Sequence, residues 1–293
     1  MMRGQNLITS ISLILGLFWA LPLAAEPLQV IYGTRMGGEV RNGYPIQLLE
    51  LALKKSGRAY DLLAYDLPIT QARAFLELEK KRSITVHYAG TSADLESRFL
   101  PVRIPVYRGL LGYRVFIIHP DNQLLFSRID SLEKLAGLRA GQGTGWADIG
   151  ILEHSGLIVM AAPYESLLKM IELKRIDYFP RGINEAHPEV AQHQNRFPRL
   201  AVEKELLLVY PFAQFYFVNR DNQALHDAIR TGLVRAYEDG SFMALFNQHP
   251  HVKDMMAKVR LAERRRFDIP NPLMTRETLS IPADYWHEPL KLF

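Results

Sequence analysis

The sequence predicts an α/β protein of two lobes, a clamshell whose halves are joined by two hinge-crossing segments. From residue 28 to residue 248, short apolar strand candidates alternate with helices of about ten residues, which is the pattern of α/β units around largely parallel sheets. Two extended apolar stretches, 109–118 and 209–218, enclose one complete α/β block. The chain has 293 residues, 48% hydrophobic and 23% charged, enough core material for one large domain or two modest ones. If both stretches are hinges, residues 113–210 form a lobe inserted into a first lobe. That first lobe is then built from 26–112 and from the segment returning after 211, with a C-terminal tail running to 293.

The N-terminus has the form of an export leader. Arg3 supplies the positive start, Ile11–Leu23 the apolar run, and Leu23-Ala24-Ala25 the small-residue cleavage pattern before polar Glu26-Pro27. The run is short for a bilayer span of about 20 residues, so a cleaved signal peptide over 1–25 is expected, with the remainder free in the periplasm. The absence of cysteine excludes structural disulfides, thiolate metal sites, a cysteine nucleophile and a lipidated N-terminal cysteine. A formal net charge of +4 is too small on this chain to indicate nucleic acid as a partner.

Past the leader, Leu28–Tyr32 reads as a strand. Tyr44–Ser56 reads as a helix, with Ile46, Leu49, Ala52 and Leu53 on one face and Gly57 ending it. Tyr60–Tyr65 is a strand, Gln71–Lys81 a helix and Ser83–Tyr88 a strand. Arg114–Ile118 is a further strand. Asp130-Ser131-Leu132-Glu133 has capping-box spacing for a helix that stops at Gly137, with Asp130 as the capping oxygen. Strands at Leu138–Ala140, Leu157–Ala162 and Ile176–Phe179 alternate with helices at Ala147–His154, Glu165–Leu173 and Asn184–His193. Leu206–Val209 and Gln214–Val218 are extended, and the helices Gln223–Glu238 and Ser241–Gln248 follow. The tail Thr275–Phe293 carries Tyr285, Trp286 and Phe293, which should pack on the body.

Three strings carry candidate chemistry. Gly141-Gln142-Gly143-Thr144-Gly145-Trp146 lies between a strand and a helix. Trp146 breaks the dinucleotide fingerprint, and no Lys-Ser/Thr pair follows to make a P-loop. What remains is either a turn offering Gly143 and Thr144 amides and the Thr144 hydroxyl to an anion, or a tight strand-to-helix turn. Gly90-Thr91-Ser92 ends a strand, with Arg98 following. Thr91, Ser92 and Arg98 can hold a carboxylate, or Thr91 or Ser92 is an ordinary helix N-cap. Arg181 stands at the end of the Ile176–Phe179 strand, with Glu185 four residues on to pair with it or with a ligand amine. His249-Pro250-His251 and His187 with His193 lack metal-site spacing, and Arg264-Arg265-Arg266 reads as a solvated helix end. No metal or cofactor is expected.

The order of elements resembles the type II periplasmic solute-binding proteins, specifically the polar amino-acid receptor family, over residues 28–250. The resemblance rests on Lys81–Arg98, on Asp130–Gly141 leading to Gly143-Thr144, on Leu173–Tyr178 and on Ala236–Phe242. It implies a carboxylate clamp at Arg98, with Thr91 or Ser92 and Thr144 contributing hydroxyls and amides. Phe179-Pro180-Arg181-Gly182 stands where such proteins place an acid for the ligand ammonium, so a basic group replaces it. Residues 33–42 are short for the aromatic loop that often stacks on the ligand. The function implied is a monomeric receptor that closes on a small polar, carboxylate-bearing solute and presents it to an ABC permease. The alternatives are a partner for a membrane sensor, or a dehydratase-type enzyme using Glu185 or His87.

Overall fold

The computed structural model describes residues 26–35 and 43–288. The expected leader and most of the loop at 33–42 lie outside the described residues. The first sheet is built from β1 (Leu28–Arg35), β2 (Tyr60–Ile69), β3 (Val86–Gly90) and β4 (Phe99–Val102). Helices α1 (Tyr44–Ser56), α2 (Gln71–Glu79) and α3 (Ala93–Arg98) connect them. The second sheet takes β5 (Tyr113–Ile118), β6 (Arg139–Gly143), β7 (Ile158–Ala162), β8 (Tyr178–Gly182), β9 (Ala201–Val202) and β10 (Leu206–Val209). Its helices are α4 (Gln123–Ser127), α5 (Leu132–Ala136), α6 (Asp148–His154), α7 (Tyr164–Glu172) and α8 (Ala186–His193). The chain then returns through β11 (Gln214–Asn219), α9 (Gln223–Glu238), α10 (Ser241–Gln248) and α11 (Pro250–Val259), and ends in β12 (Arg265–Asp268) and α12 (Arg276–Leu279).

The strand orders are β2-β1-β3-β11-β4 and β12-β10-β5-β8-β6-β7, with β9 beside β5. The sheets are mixed, where largely parallel ones were expected. β11 runs antiparallel to both β3 and β4, and β5 antiparallel to both β8 and β10. The reason is connectivity: β5 and β11 receive the chain from the other lobe, so neither is the product of a helical crossover on its own sheet. A second difference concerns the C-terminal part. After three helices on the first lobe the chain crosses again, and β12 pairs in parallel with β10 at the edge of the second sheet.

Local signals explain most elements. Gly57 ends α1 in the left-handed conformation, with Lys54 and Lys55 in the last turn. The cap of α5 is Ser131, whose Oγ accepts from the Lys134 amide; Asp130 instead pairs with Lys134 Nζ at 2.6 Å. Pro188 sits in the first turn of α8, where its missing N–H leaves no bond unmade. β4 was not anticipated, since Phe99-Leu100-Pro101-Val102 is short and carries a proline; as the edge strand beside β11 it tolerates one. Among the described residues, no helix is long and apolar enough to cross a membrane.

The first lobe is fixed by the contact of α1 with α9. A Cβ at Gly232 would collide with the backbone of Ala52, so the two helices touch main chain to main chain. Gly232→Ala should therefore lower the melting temperature, at a cost of about 1–3 kcal/mol in a chemical denaturation series. A second expectation concerns pH. Burial lowers the pKa of His187, His251 and His287, so the native state binds fewer of these protons than the unfolded chain does below the ordinary histidine value of 6.5. Their contribution is present at pH 7.5 and is lost as pH falls toward the lowered values. The melting temperature should drop between pH 7.5 and 5.5, and His187→Asn with His251→Asn should flatten that slope.

Candidate functional site

The two sheets meet end to end. The C-terminal ends of β3, β6 and β8 point at the crossing segments, because Gly90 pairs with Gln214 at the start of β11 and Gly182 pairs with Arg114 at the start of β5. A crevice outside the carboxyl ends of strands is where α/β sheets place ligands. Thr91, directly after β3, is buried, and its amide donates to the Ala213 carbonyl of the second crossing.

Arg98 does not share that location. Register puts Phe99 opposite Asn219, at the end of the first sheet away from Gly90. Helix α3 starts at the crevice with Ser92 and carries Arg98 away from it. There Arg98 is half-exposed and holds Glu79 and Asp94, each at 3.2 Å. Ser92 caps α3, its Oγ accepting from the Leu95 amide at 3.2 Å.

The residue that joins Thr91 is Glu96, which the sequence reading did not single out. Its carboxylate is buried and accepts four bonds: Thr91 Oγ1 at 2.7 Å, Arg103 Nη2 at 2.8 Å, and the hydroxyls of Thr275 and Thr278 at 2.8 Å each. Two of those donors stand about 180 positions away in sequence, beyond the reach of any local pattern. Thr91 and Arg103 are near Glu96 in sequence, and Thr275 and Thr278 are not.

On the second lobe, Arg181 and Glu185 do come together, inside a larger cluster. Arg181 is buried, and its Nε and Nη2 donate to the two oxygens of Glu189 at 2.7 and 2.6 Å, with Glu185 at 3.1 Å. The guanidinium lies over the rings of Trp146, Phe179 and Tyr164, at 4.8, 5.1 and 5.9 Å. Glu185 also accepts from the Gly182 amide at 3.0 Å and meets Arg114 at 3.4 Å. Arg114, equally buried, donates to Asp148, which accepts from the Tyr210 hydroxyl as well. Burial alone would lower the pKa of both arginines, but Glu185 and Glu189 outweigh it at Arg181 and Asp148 leads the opposing groups at Arg114, so both stay charged. The cluster sets two guanidiniums against three carboxyl groups.

The glycine string makes a tight turn. Gly145 is left-handed at φ +78°, and a Cβ at Gly143 would strike the Trp146 ring. The Thr144 amide donates to the Ala162 carbonyl and the Trp146 amide to Gly143, so both are spent inside the lobe, while the Thr144 side chain is exposed. His87 is buried in the first lobe, edge-on to Phe75 at 5.1 Å, and does not approach Glu185's cluster. Among the described residues, no group of three or more His, Cys, Asp or Glu is arranged to hold a metal.

Solved structures share this architecture. An ancestral arginine-binding protein bound to arginine superposes with a TM-score of 0.55 at 17% identity, over 76% of this chain and 98% of its own. A probable amino-acid ABC transporter extracellular-binding protein from Bacillus subtilis gives 0.55 at 15% identity, covering 78% and 100%. An amino acid ABC transporter substrate-binding protein from Streptococcus pneumoniae bound to L-arginine gives 0.54 at 12%, covering 78% and 94%. The fold is the bilobed periplasmic-binding-protein clamshell. No family model and no curated protein sequence matches the chain.

Within this clamshell the two arginines singled out from the sequence differ in kind. Arg181→Met leaves Glu185 buried and Glu189 part-buried beside a lost countercharge and should cost about 3–5 kcal/mol in urea unfolding. Arg98→Ala removes only half-exposed pairs and should cost less than about 1 kcal/mol.

Proposed function

We propose that the chain is an extracytoplasmic solute receptor, without catalytic activity, that closes on a small polar solute of amino-acid type and delivers it to an ABC permease. The observation carrying this reading is the placement of two polar walls at the facing sheet ends: Thr91 with Ser92 after β3, and the Arg114–Asp148–Glu185–Arg181 cluster around β8. The fold shared with ABC transporter binding proteins, over nearly their whole length, supports the receptor class.

Three carboxyl groups against two guanidiniums in the second-lobe cluster suit a solute ammonium, with Asp148 and Glu185 as its acceptors. The solute carboxylate is assigned to the hydroxyls of Ser92 and Thr144, beside Gly143, with Arg181 positioning Glu185 from behind; the Thr91 hydroxyl is spent on Glu96. Arg98 is left outside this site on the register of β4. Closure is a population shift driven by contacts that only the closed form makes.

Thermal-shift and calorimetric screening against L-amino acids and dicarboxylates tests the reading. A solute at about 100 times its dissociation constant should stabilise the protein by roughly 2.7 kcal/mol. Glu185→Gln should weaken that solute's binding at least about tenfold, while Arg98→Ala leaves it unchanged. Failure of every member of both classes to raise the melting temperature overturns the proposal.

A further inference from the structure

We propose that residues 269–288 are a strap that restrains the hinge and so narrows the range of angles the lobes adopt in the absence of solute. This goes beyond the receptor reading, because the restraint is built into the chain and is not supplied by a solute. The strap starts on the second lobe, where the Ile269 amide donates to the Val209 carbonyl, and returns there through Glu288, which pairs with Arg266 of β12 at 2.8 Å. Between those anchors it leaves the second lobe past the second crossing, where Asn271 Nδ2 donates to the Pro211 carbonyl at 2.8 Å, and past α6, where Leu273 stands over Gly150. Its middle belongs to the first lobe. Thr275 and Thr278 donate to Glu96, and Ile281 and Trp286 are buried in the core formed with Phe75, Phe99 and Phe215.

The strap also grips the first crossing itself. Arg108 and Gly109 are both left-handed, at φ 53° and 79°, and a hinge opens by changing backbone angles at a few such residues. Arg108 Nη2 donates to the Asp284 and Trp286 carbonyls at 3.2 and 2.6 Å, and the Arg108 carbonyl accepts from the His287 amide at 2.7 Å. The Trp286 ring fills the space a Cβ on Gly109 would need. Rotation at this dipeptide therefore requires the strap to let go. Pro270, Pro272 and Pro282 stiffen the segment and reduce the entropy lost on docking it.

The absence of cysteine allows a clean test. Arg58→Cys on the first lobe and Glu153→Cys on the second, both exposed, take spin labels for pulsed distance measurement in the full-length protein. The solute-free parent should give one narrow distance distribution. Thr275→Val with Thr278→Val releases Glu96, and Asn271→Ala with Leu273→Ala releases the second-lobe end. Either pair should broaden the distribution about twofold or move its mean, with cooperative melting retained. A broad distribution in the parent overturns the proposal, as does a distribution that both folded pairs leave unchanged. Neither result bears on the solute screen, whose failure in turn leaves the strap standing.

Discussion

The outgoing and returning segments between the sheets lie in direct contact, and the rest of the molecule hangs from that contact. The Tyr210 amide donates to the Gly112 carbonyl at 3.1 Å, and a Cβ at Gly112 would run into the Tyr210 carbonyl oxygen. Only glycine allows the outgoing and returning segments to lie this close. Their contact sets the starts of β5 and β11, which in turn aim the ends of β3, β6 and β8 at one crevice. The antiparallel pairings inside otherwise parallel sheets are the topological record of that crossing.

Around the crevice, each buried charge has partners within the protein. Arg114 and Arg181 share the carboxylates of Asp148, Glu185 and Glu189, and Glu96 takes four donors. Satisfying each buried charge locally is what permits such groups below the surface at all, since an unpaired one would cost several kcal/mol. A consequence is that the walls are preorganised, with ring stacking on Arg181 fixing the plane of its guanidinium.

Elements made by nearby residues were legible in the sequence. The face formed by Ile46, Leu49, Ala52 and Leu53 marked α1 with its observed bounds, and the apolar runs marked β5, β10 and β11. The pairing of Arg181 with Glu185 also followed from spacing, though Glu189, one turn further on, holds the stronger contact. Arg98 was drawn to the crevice because Thr91 and Ser92 lie close in sequence; a six-residue helix is enough to carry it to the other end of the sheet. Glu96 was missed for the opposite reason. Its role depends on threonines supplied from the far end of the chain, and β12 escaped because Arg265-Arg266 looks solvated until an edge strand is there to receive it.

The strap has a bearing on the order of folding. Its bonds to Glu96 and Arg108 join residues 176 to 182 positions apart, whereas each sheet is assembled mostly from shorter separations. Contacts of such long range cost the most loop-closure entropy and are rewarded only once their docking surfaces exist. Both lobes must therefore be built, and the hinge still supple, before the strap can seat. Until Trp286 docks on Gly109 the two halves search freely for their mutual orientation, and docking narrows that search.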